Sequence, residues 1–418
     1  MTNFLESFSI WILGIRWNAD KGMPDLRNPI IGNIVAGVLI LCLLGCATTP
    51  APILTRSGDA DLAHLLESIR VKEKMPSIAA AIIIDGNIHS TAAVGTRRKN
   101  TDNWVSVDDT FLIASCAKAF TATLSAILVE QKHLDWDTTL QEAFPLMRMR
   151  KEYEGITLLQ LLSHRSGLPE WIDNLGAWWS DRKSPEEMRL AYLRETVKQP
   201  LSDRPGNTVY YSNSGYIIAG ALIEKVMGNP YEKVITEELF DPLSMTSAGF
   251  GPPVNMHPNH QPIGHYGLFK SPISSDFPEY MAPTAAIHIS IEDWARFILL
   301  HVNSRAASTV GLTAESLTMM HRQPDSAAWR KGAEERGYGI PSLNYALGWY
   351  TLTTGDNENL LWHPGGNTGF IAQVVIDQGT KNAVLVVTNV RSSHNHLFRA
   401  VEVIRDHYSA IARLPEIN

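Results

Sequence analysis

The chain is poor in cysteine, with 3 in 418 residues. Cys42 and Cys46 sit at the end of an apolar N-terminal run and Cys116 is alone deep in the chain, so no disulfide framework can form. No Lys/Arg block appears, the net charge is −7 and the pI is about 6.1, which excludes a nucleic-acid binder. There is no internal repeat and no low-complexity tract, which excludes a solenoid. H-E-x-x-H is missing. His257, His260 and His265 fall in a Pro-rich loop without a matching carboxylate pattern, so neither a metal nor a cofactor is expected. G-x-S-x-G is missing too, which removes the α/β-hydrolase reading. The longest apolar run, Ile30–Gly45, has 16 residues, short for a membrane span.

That run has the length of a signal-peptide h-region. It ends in Leu43-Leu44-Gly45-Cys46, which resembles the lipobox of bacterial lipoproteins, in which the Cys is lipidated and becomes the new N-terminus. Residues 1–45 therefore read as a leader, with Met23 giving a compact n-region as the start, and 46–58, with two Pro and several small residues, as a tether. The expected location is the cell envelope, anchored through lipid on Cys46, with the rest of the chain outside the cytoplasm. An uncleaved anchor is the alternative.

Residues 59–412 hold the bulk of the apolar patterning. Ser77–Ile84, the turn signal Asp85-Gly86 and Ile88–Val94 predict a β-hairpin. Ile217–Met227 predicts a helix ending at Gly228, and residues 250–283 a long loop. Phe370–Asp377 and Ala383–Asn389 read as strands. Leu397, Val401, Ile404, Tyr408 and Ile411 give a last helix one apolar stripe. Strands at both ends and helices between them predict an α/β (α+β) domain. Its terminal strands would pair in one antiparallel sheet flanked by helices, with an inserted helical lobe over roughly 125–285.

The stretch Phe111–Lys132 carries the chemistry. Ser115 opens an apolar helical run and Lys118 follows one turn later, so hydroxyl and amine share a face. A serine hydroxyl is a weak nucleophile without a base beside it. A lysine serves as that base only when burial or a nearby cation lowers its pKa. Two further stretches contribute. In Tyr211-Ser212-Asn213 a phenol can relay protons, and an Asn can orient the lysine and hold a substrate carbonyl. In His363-Pro364-Gly365-Gly366 the glycines let a substrate backbone come close, and the Gly366 N–H can join that of Ser115 as an oxyanion hole.

Serine, then tyrosine about a hundred residues on, then His-x-Gly near the C-terminus, resembles the serine β-lactamase and penicillin-binding protein superfamily. The likeness is to its class C branch with D-alanyl-D-alanine carboxypeptidases, D-aminopeptidases and esterases. It runs from about Ala60 to Ile411 and includes Thr157–Pro169, Gly206–Met245 and Tyr345–Trp349. The resemblance implies a β-lactamase/transpeptidase-like fold and an acyl-enzyme on Ser115. Lys118 and Tyr211 would share the acid/base work. Asn213, His363, Gly365 and Gly366 would bind substrate, a small molecule or peptide. Three positions depart from the family pattern: His363 replaces a typical cation, Pro364 replaces a Thr or Ser, and Ala285-Ala286 with His288 replaces paired glycines. The expected activity is a serine hydrolase acting on an ester or amide, of esterase or D-amino-acid peptidase type. A β-lactamase proper is the second enzyme reading. A non-hydrolytic penicillin-recognising sensor is the reading from another class. Oligomeric state is not legible.

Overall fold

The computed structural model describes residues 58–173, 183–253, 260–267, 269–273, 276–322, 343–353, 359–391 and 394–408. The leader, Cys46, the tether before Gly58, His257 and Ile411 lie outside these residues. The described residues fall in one unit, Ile53–Asn418. No helix among them is long and apolar enough to cross a membrane, and they contain no group of three or more His, Cys, Asp or Glu that could hold a metal ion.

The chain opens with helix α1 (Ala60–Lys72) and the hairpin of β1 (Ser77–Ile84) and β2 (Asn87–Gly95). Asp85 and Gly86 both have positive φ, 50° and 70°, the geometry that a two-residue turn needs to match strand twist. The C-terminal part supplies β6 (Leu343–Tyr345), β7 (Tyr350–Thr353), β8 (Asn359–Gly366), β9 (Ile371–Asp377), β10 (Asn382–Thr388) and α6 (His394–His407). These strands join the hairpin in one antiparallel sheet of order β2-β1-β10-β9-β8-β7-β6. The two ends of the chain meet at β1 and β10, where Ile78 pairs with Thr388 and Ile83 with Ala383. The terminal strands therefore pair in one antiparallel sheet, as expected.

Alternation along β1 divides the core. Ile78, Ala80 and Ile82 face a cluster containing Leu62 and Leu66 of α1 and Leu397, Val401 and Ile404 of α6. Ala79, Ala81 and Ile83 face the other side, with residues of α2 (Ala117–Glu130), α4 (Asn213–Met227) and α5 (Ile291–Leu299). Helix α2 is buried along almost its whole length, Ala117 to Leu128, which explains its near-continuous apolar sequence. Between α2 and α4 lies α3 (Pro185–Thr196), begun by a Ser184/Glu187 capping box. Its buried Arg189 pairs with Glu224 of α4 at 2.5 Å and Glu232 at 2.7 Å, satisfying three charges that would be costly alone. Three short strands, β3 (Thr110–Leu112), β4 (Gly249–Phe250) and β5 (Ile287–Ser290), form a second sheet in the order β3-β5-β4.

Candidate active site

Strand β3 delivers the chain to Ser115. Its pairing with β5 is continued by Ile113, whose N–H donates to Ile287 O at 3.1 Å. Ala114 then takes φ 48°, a left-handed conformation that costs a residue with a Cβ on the order of 1 kcal/mol. Ala114–Cys116 form a single 3₁₀ turn before α2. Residues three apart eclipse in such a turn, and Lys118 Nζ lies 3.3 Å from Ser115 Oγ.

Lys118 is fully buried. Burial holds its pKa well below that of an ordinary lysine; the charge of Glu170 opposes this only in part. Its amine is 2.7 Å from Asn213 Oδ1 and 3.1 Å from Thr284 O, and both of these oxygens can only accept. A neutral amine has two N–H bonds and one lone pair. In that neutral form both hydrogens can go to Asn213 and Thr284, which leaves the lone pair facing Ser115. This is the arrangement a general base needs before the serine attacks.

Asn213 begins α4. Ser212 caps that helix by accepting from Gly215 N at 3.1 Å, and Glu170 O accepts from the N–H groups of Asn213 and Ser214. Asn213 Oδ1 also accepts from Thr284 Oγ1 at 2.9 Å. Its oxygen is thus committed inward, and its amino group remains for the cavity it lines. The Tyr211 ring presents its face to Lys118 Nζ, 4.8 Å from the centroid. His164 fixes this segment. Its ring lies 4.3 Å from those of Tyr211 and Tyr345, its Nδ1 accepts from Ser212 N at 3.1 Å, and its carbonyl accepts from Tyr210 N at 2.7 Å.

Strand β8 forms the facing wall. Pleating sends Pro364 and Gly366 to the cavity and His363 and Gly365 the other way. A Cβ on Gly365 would stand 2.2 Å from Ile113 O and 3.2 Å from Cys116 Sγ, so only glycine lets β8 lie this close to the nucleophile turn. His363 and Gly365, expected against substrate, are therefore not on the cavity wall. The His363 imidazole is fully buried; Nδ1 donates to Pro364 O at 2.8 Å and Nε2 accepts from Tyr345 Oη at 3.1 Å. Burial, with the nearby Lys118, pushes its pKa down to about 3, so it carries no charge for a substrate. Cys116 packs beneath, its Sγ donating to His363 O. His288, the third departure, fills the space over Gly249 and donates through Nδ1 to Gly251 O at 2.8 Å, closing the small sheet.

The cavity, about 600 Å³, is lined by Ser115, Tyr211 and Asn213, by the aromatic residues Trp171, Tyr210, Phe277 and Tyr350, and by Pro364 and Gly366. Two exposed charged residues complete it, Glu170 and Arg391. The sequence reading missed both, along with Thr284 and the ring of His164. A second cavity of about 650 Å³ around His301 and His321 shares no lining residue with this one.

The profile of the Beta-lactamase family matches residues 60–408. The chain belongs to that family. It is 24% identical over 348 residues to Protein flp of Staphylococcus aureus strain COL, covering 82% of this chain but 65% of that protein, so it spans about two thirds of the length of such relatives. It is 25% identical over 375 residues to Penicillin-binding protein 4 of Amycolatopsis lactamdurans, covering 85% and 92% of the two chains. The fold is similar to that of the octameric penicillin-binding protein homologue from Pyrococcus abyssi, with TM-score 0.67, 22% identity and 83% and 77% coverage. It is also similar to the D-alanine carboxypeptidase AmpC from Burkholderia cenocepacia, with TM-score 0.66, 17% identity and 83% and 99% coverage. The β-lactamase/transpeptidase fold is thus established, and family membership supports serine-hydrolase chemistry at the family level.

Proposed function

We propose that this protein is a serine hydrolase that cleaves an ester or amide through an acyl-enzyme on Ser115. The observation that carries the reading is the fully buried Lys118 amine, 3.3 Å from the Ser115 hydroxyl and bonded to Asn213 Oδ1 and Thr284 O. Ser115 attacks the substrate carbonyl as its proton passes to Lys118. The Ser115 and Gly366 backbone N–H groups receive the developing oxyanion, and Asn213 holds the acyl amide or ester. Tyr211 and Lys118 return a proton to the leaving group, then draw one from the deacylating water. The aromatic lining favours an apolar acyl or leaving group, and a neutral ester suits the Pro364 wall. A second reading, an amide or β-lactam with a free carboxylate, is favoured by Arg391 alone. Among the described residues its guanidinium forms no ion pair, and it donates to Asn367 O next to Gly366.

The test is labelling with a fluorophosphonate and with a fluorescent penicillin, followed by intact mass over time. The expected result is mass addition on Ser115 by the fluorophosphonate, with any penicillin adduct lost on turnover. Absence of fluorophosphonate addition at Ser115 would end the acyl-enzyme reading, and a penicillin adduct that persists would make the chain a sensor or peptidase.

We further propose the lipoprotein route for the N-terminus, supported by Leu43-Leu44-Gly45-Cys46 after an apolar run. Cys46→Ser should move the protein from the membrane to the soluble fraction on cell fractionation. Retention equal to the parent's would mean that lipid on Cys46 is not what holds the protein, and that the segment is an ordinary anchor or something else. One acyl chain holds a protein only marginally, so stable retention of the parent implies more than one.

A further inference from the structure

A short hairpin beside the active site carries features that catalysis does not use. His265 pairs with Pro272 and Tyr266 with Ser271. Its outer residues are aromatic and uncovered, Tyr266 56% and Phe269 79% exposed. The base beneath them is fixed. His265 Nδ1 donates to Asn389 O at 2.8 Å, and Nε2 accepts from Lys99 N at 3.0 Å. Lys99 Nζ donates to Phe269 O at 2.7 Å, and Lys270 Nζ donates to Lys74 O at 2.5 Å and Glu73 O at 3.2 Å. An aromatic ring held in water by so many ties is not a fraying loop tip; its hydration cost is built into the fold.

The surroundings are cationic. Lys270 lies within electrostatic range of Lys99 and Lys74, His265 of Arg98 and Lys99, and Glu73 of Lys72 and Arg399. Six cations therefore gather at this edge. Glu73, already paired with Arg399 at 2.9 Å, and Glu402 beside the same arginine oppose them. This concentration of positive charge stands on a chain whose net charge is −7, so it is a local feature and not an average one. Val71, 60% exposed, adds apolar surface next to Lys72 in the last turn of α1.

We infer that this edge of the catalytic domain, with Phe269 and Tyr266 at its tip and the lysines around them, docks on an anionic lipid bilayer. The chemistry matches that surface on two counts. Aromatic side chains settle at the headgroup level, and lysines and arginines are drawn to acidic headgroups. A soluble acidic partner would account for the lysines but not for rings held out at the tip. The hairpin also touches the site, since Arg391 N donates to His265 O at 2.8 Å and Arg391 lines the catalytic cavity. Docking would thus bring the Arg391 edge of the cavity to the headgroups, where bonds within envelope material could reach Ser115. The inference holds whatever bond the site cleaves.

The test is partition of the full chain onto vesicles of phosphatidylcholine, alone or with one third phosphatidylglycerol. It compares the parent, Lys72→Gln with Lys74→Gln, and Phe269→Ser; the leader is common to all three, so differences report the hairpin edge. A basic residue near an acidic surface is worth about 1 kcal/mol, so the double lysine variant should lose roughly thirtyfold in partition onto the acidic vesicles and little onto the neutral ones. Phe269→Ser should lose several-fold on both. Turnover of a soluble ester should not change in either variant, which separates this result from a damaged site. Partition equal to the parent's in both variants overturns the proposal. So does equal capture by soluble dextran sulfate that depends on the lysines but not on Phe269, which would make the edge a polyanion site.

Discussion

Ser115→Ala should retain the fold and lose all measurable acyl transfer, and Lys118→Met should lower kcat/KM by roughly 10²–10⁴-fold, the scale of a positioned acid–base group. Ser115 contributes little to packing, so its loss leaves stability almost unchanged. Lys118 is different, because its amine is held in a fully buried place where protonation is penalised. The sign follows from the lowered pKa. In the unfolded chain the amine binds a proton below an ordinary pKa near 10.5, whereas the folded protein resists that proton down to a much lower pH. Between those limits the unfolded state binds more protons, so stability rises with pH. Lys118→Met removes the penalty while keeping the length of the side chain. The variant should therefore melt above the parent at pH 7, and the difference should shrink as the pH approaches 10.5. Thermal unfolding at several pH values measures this without any substrate. A Lys118→Met protein that melts below the parent at pH 7, with the gap unchanged by pH, would mean that the amine is charged and paired, and the base would have to be sought elsewhere. The parent's kcat/KM should fall on the acid side as Lys118 takes its proton.

The Ser115/Lys118 contact was legible because its signal is local. Three-residue spacing in an apolar run fixes the Ser115/Lys118 contact whether the turn is 3₁₀ or α. The pairing of β1 with β10 was legible for another reason. Two apolar strand patterns at opposite ends of a chain with helices between them have few ways to be satisfied. What completes the surroundings of the Lys118 amine is not local. Thr284 O reaches Lys118 across 166 residues from a stretch with no periodic pattern, and no spacing rule finds a backbone carbonyl. The orientation of His363 failed to show for a related reason. His-Pro-Gly-Gly reads as a turn, since Pro and Gly suppress any strand signal, yet it lies inside β8. Once it is a strand, alternation alone turns His363 under the sheet and leaves Pro364 facing substrate. Arg391 escaped notice because it follows β10 as a single exposed charge, a feature that is almost always solvated surface.

Pro364 and Arg391 make opposite demands on the substrate, and the larger of the two effects decides specificity. Pro364 has neither hydroxyl nor N–H, so it gives nothing to a carboxylate, and His363 beneath it is uncharged. A hydrogen bond to a charged group is worth ~1.5–3 kcal/mol, so losing one or two lowers recognition of a β-lactam by roughly one to three orders of magnitude. Arg391 is exposed, and water screens it, so it returns only part of that loss. A neutral ester has no carboxylate to lose. The expected result is that kcat/KM for a p-nitrophenyl ester exceeds that for a chromogenic cephalosporin. Pro364→Thr should raise the cephalosporin value by roughly tenfold or more while leaving the ester within about threefold. Arg391→Gln should reduce what cephalosporin turnover there is and leave the ester unaffected. Efficient cephalosporin hydrolysis by the parent, on the order of 10⁶ M⁻¹s⁻¹ and lost in Arg391→Gln, would show that the arginine outweighs the proline. The substrate would then be an amide or lactam bearing a free carboxylate, held by a cation at the C-terminal end of β8 rather than by the side chains of the strand itself.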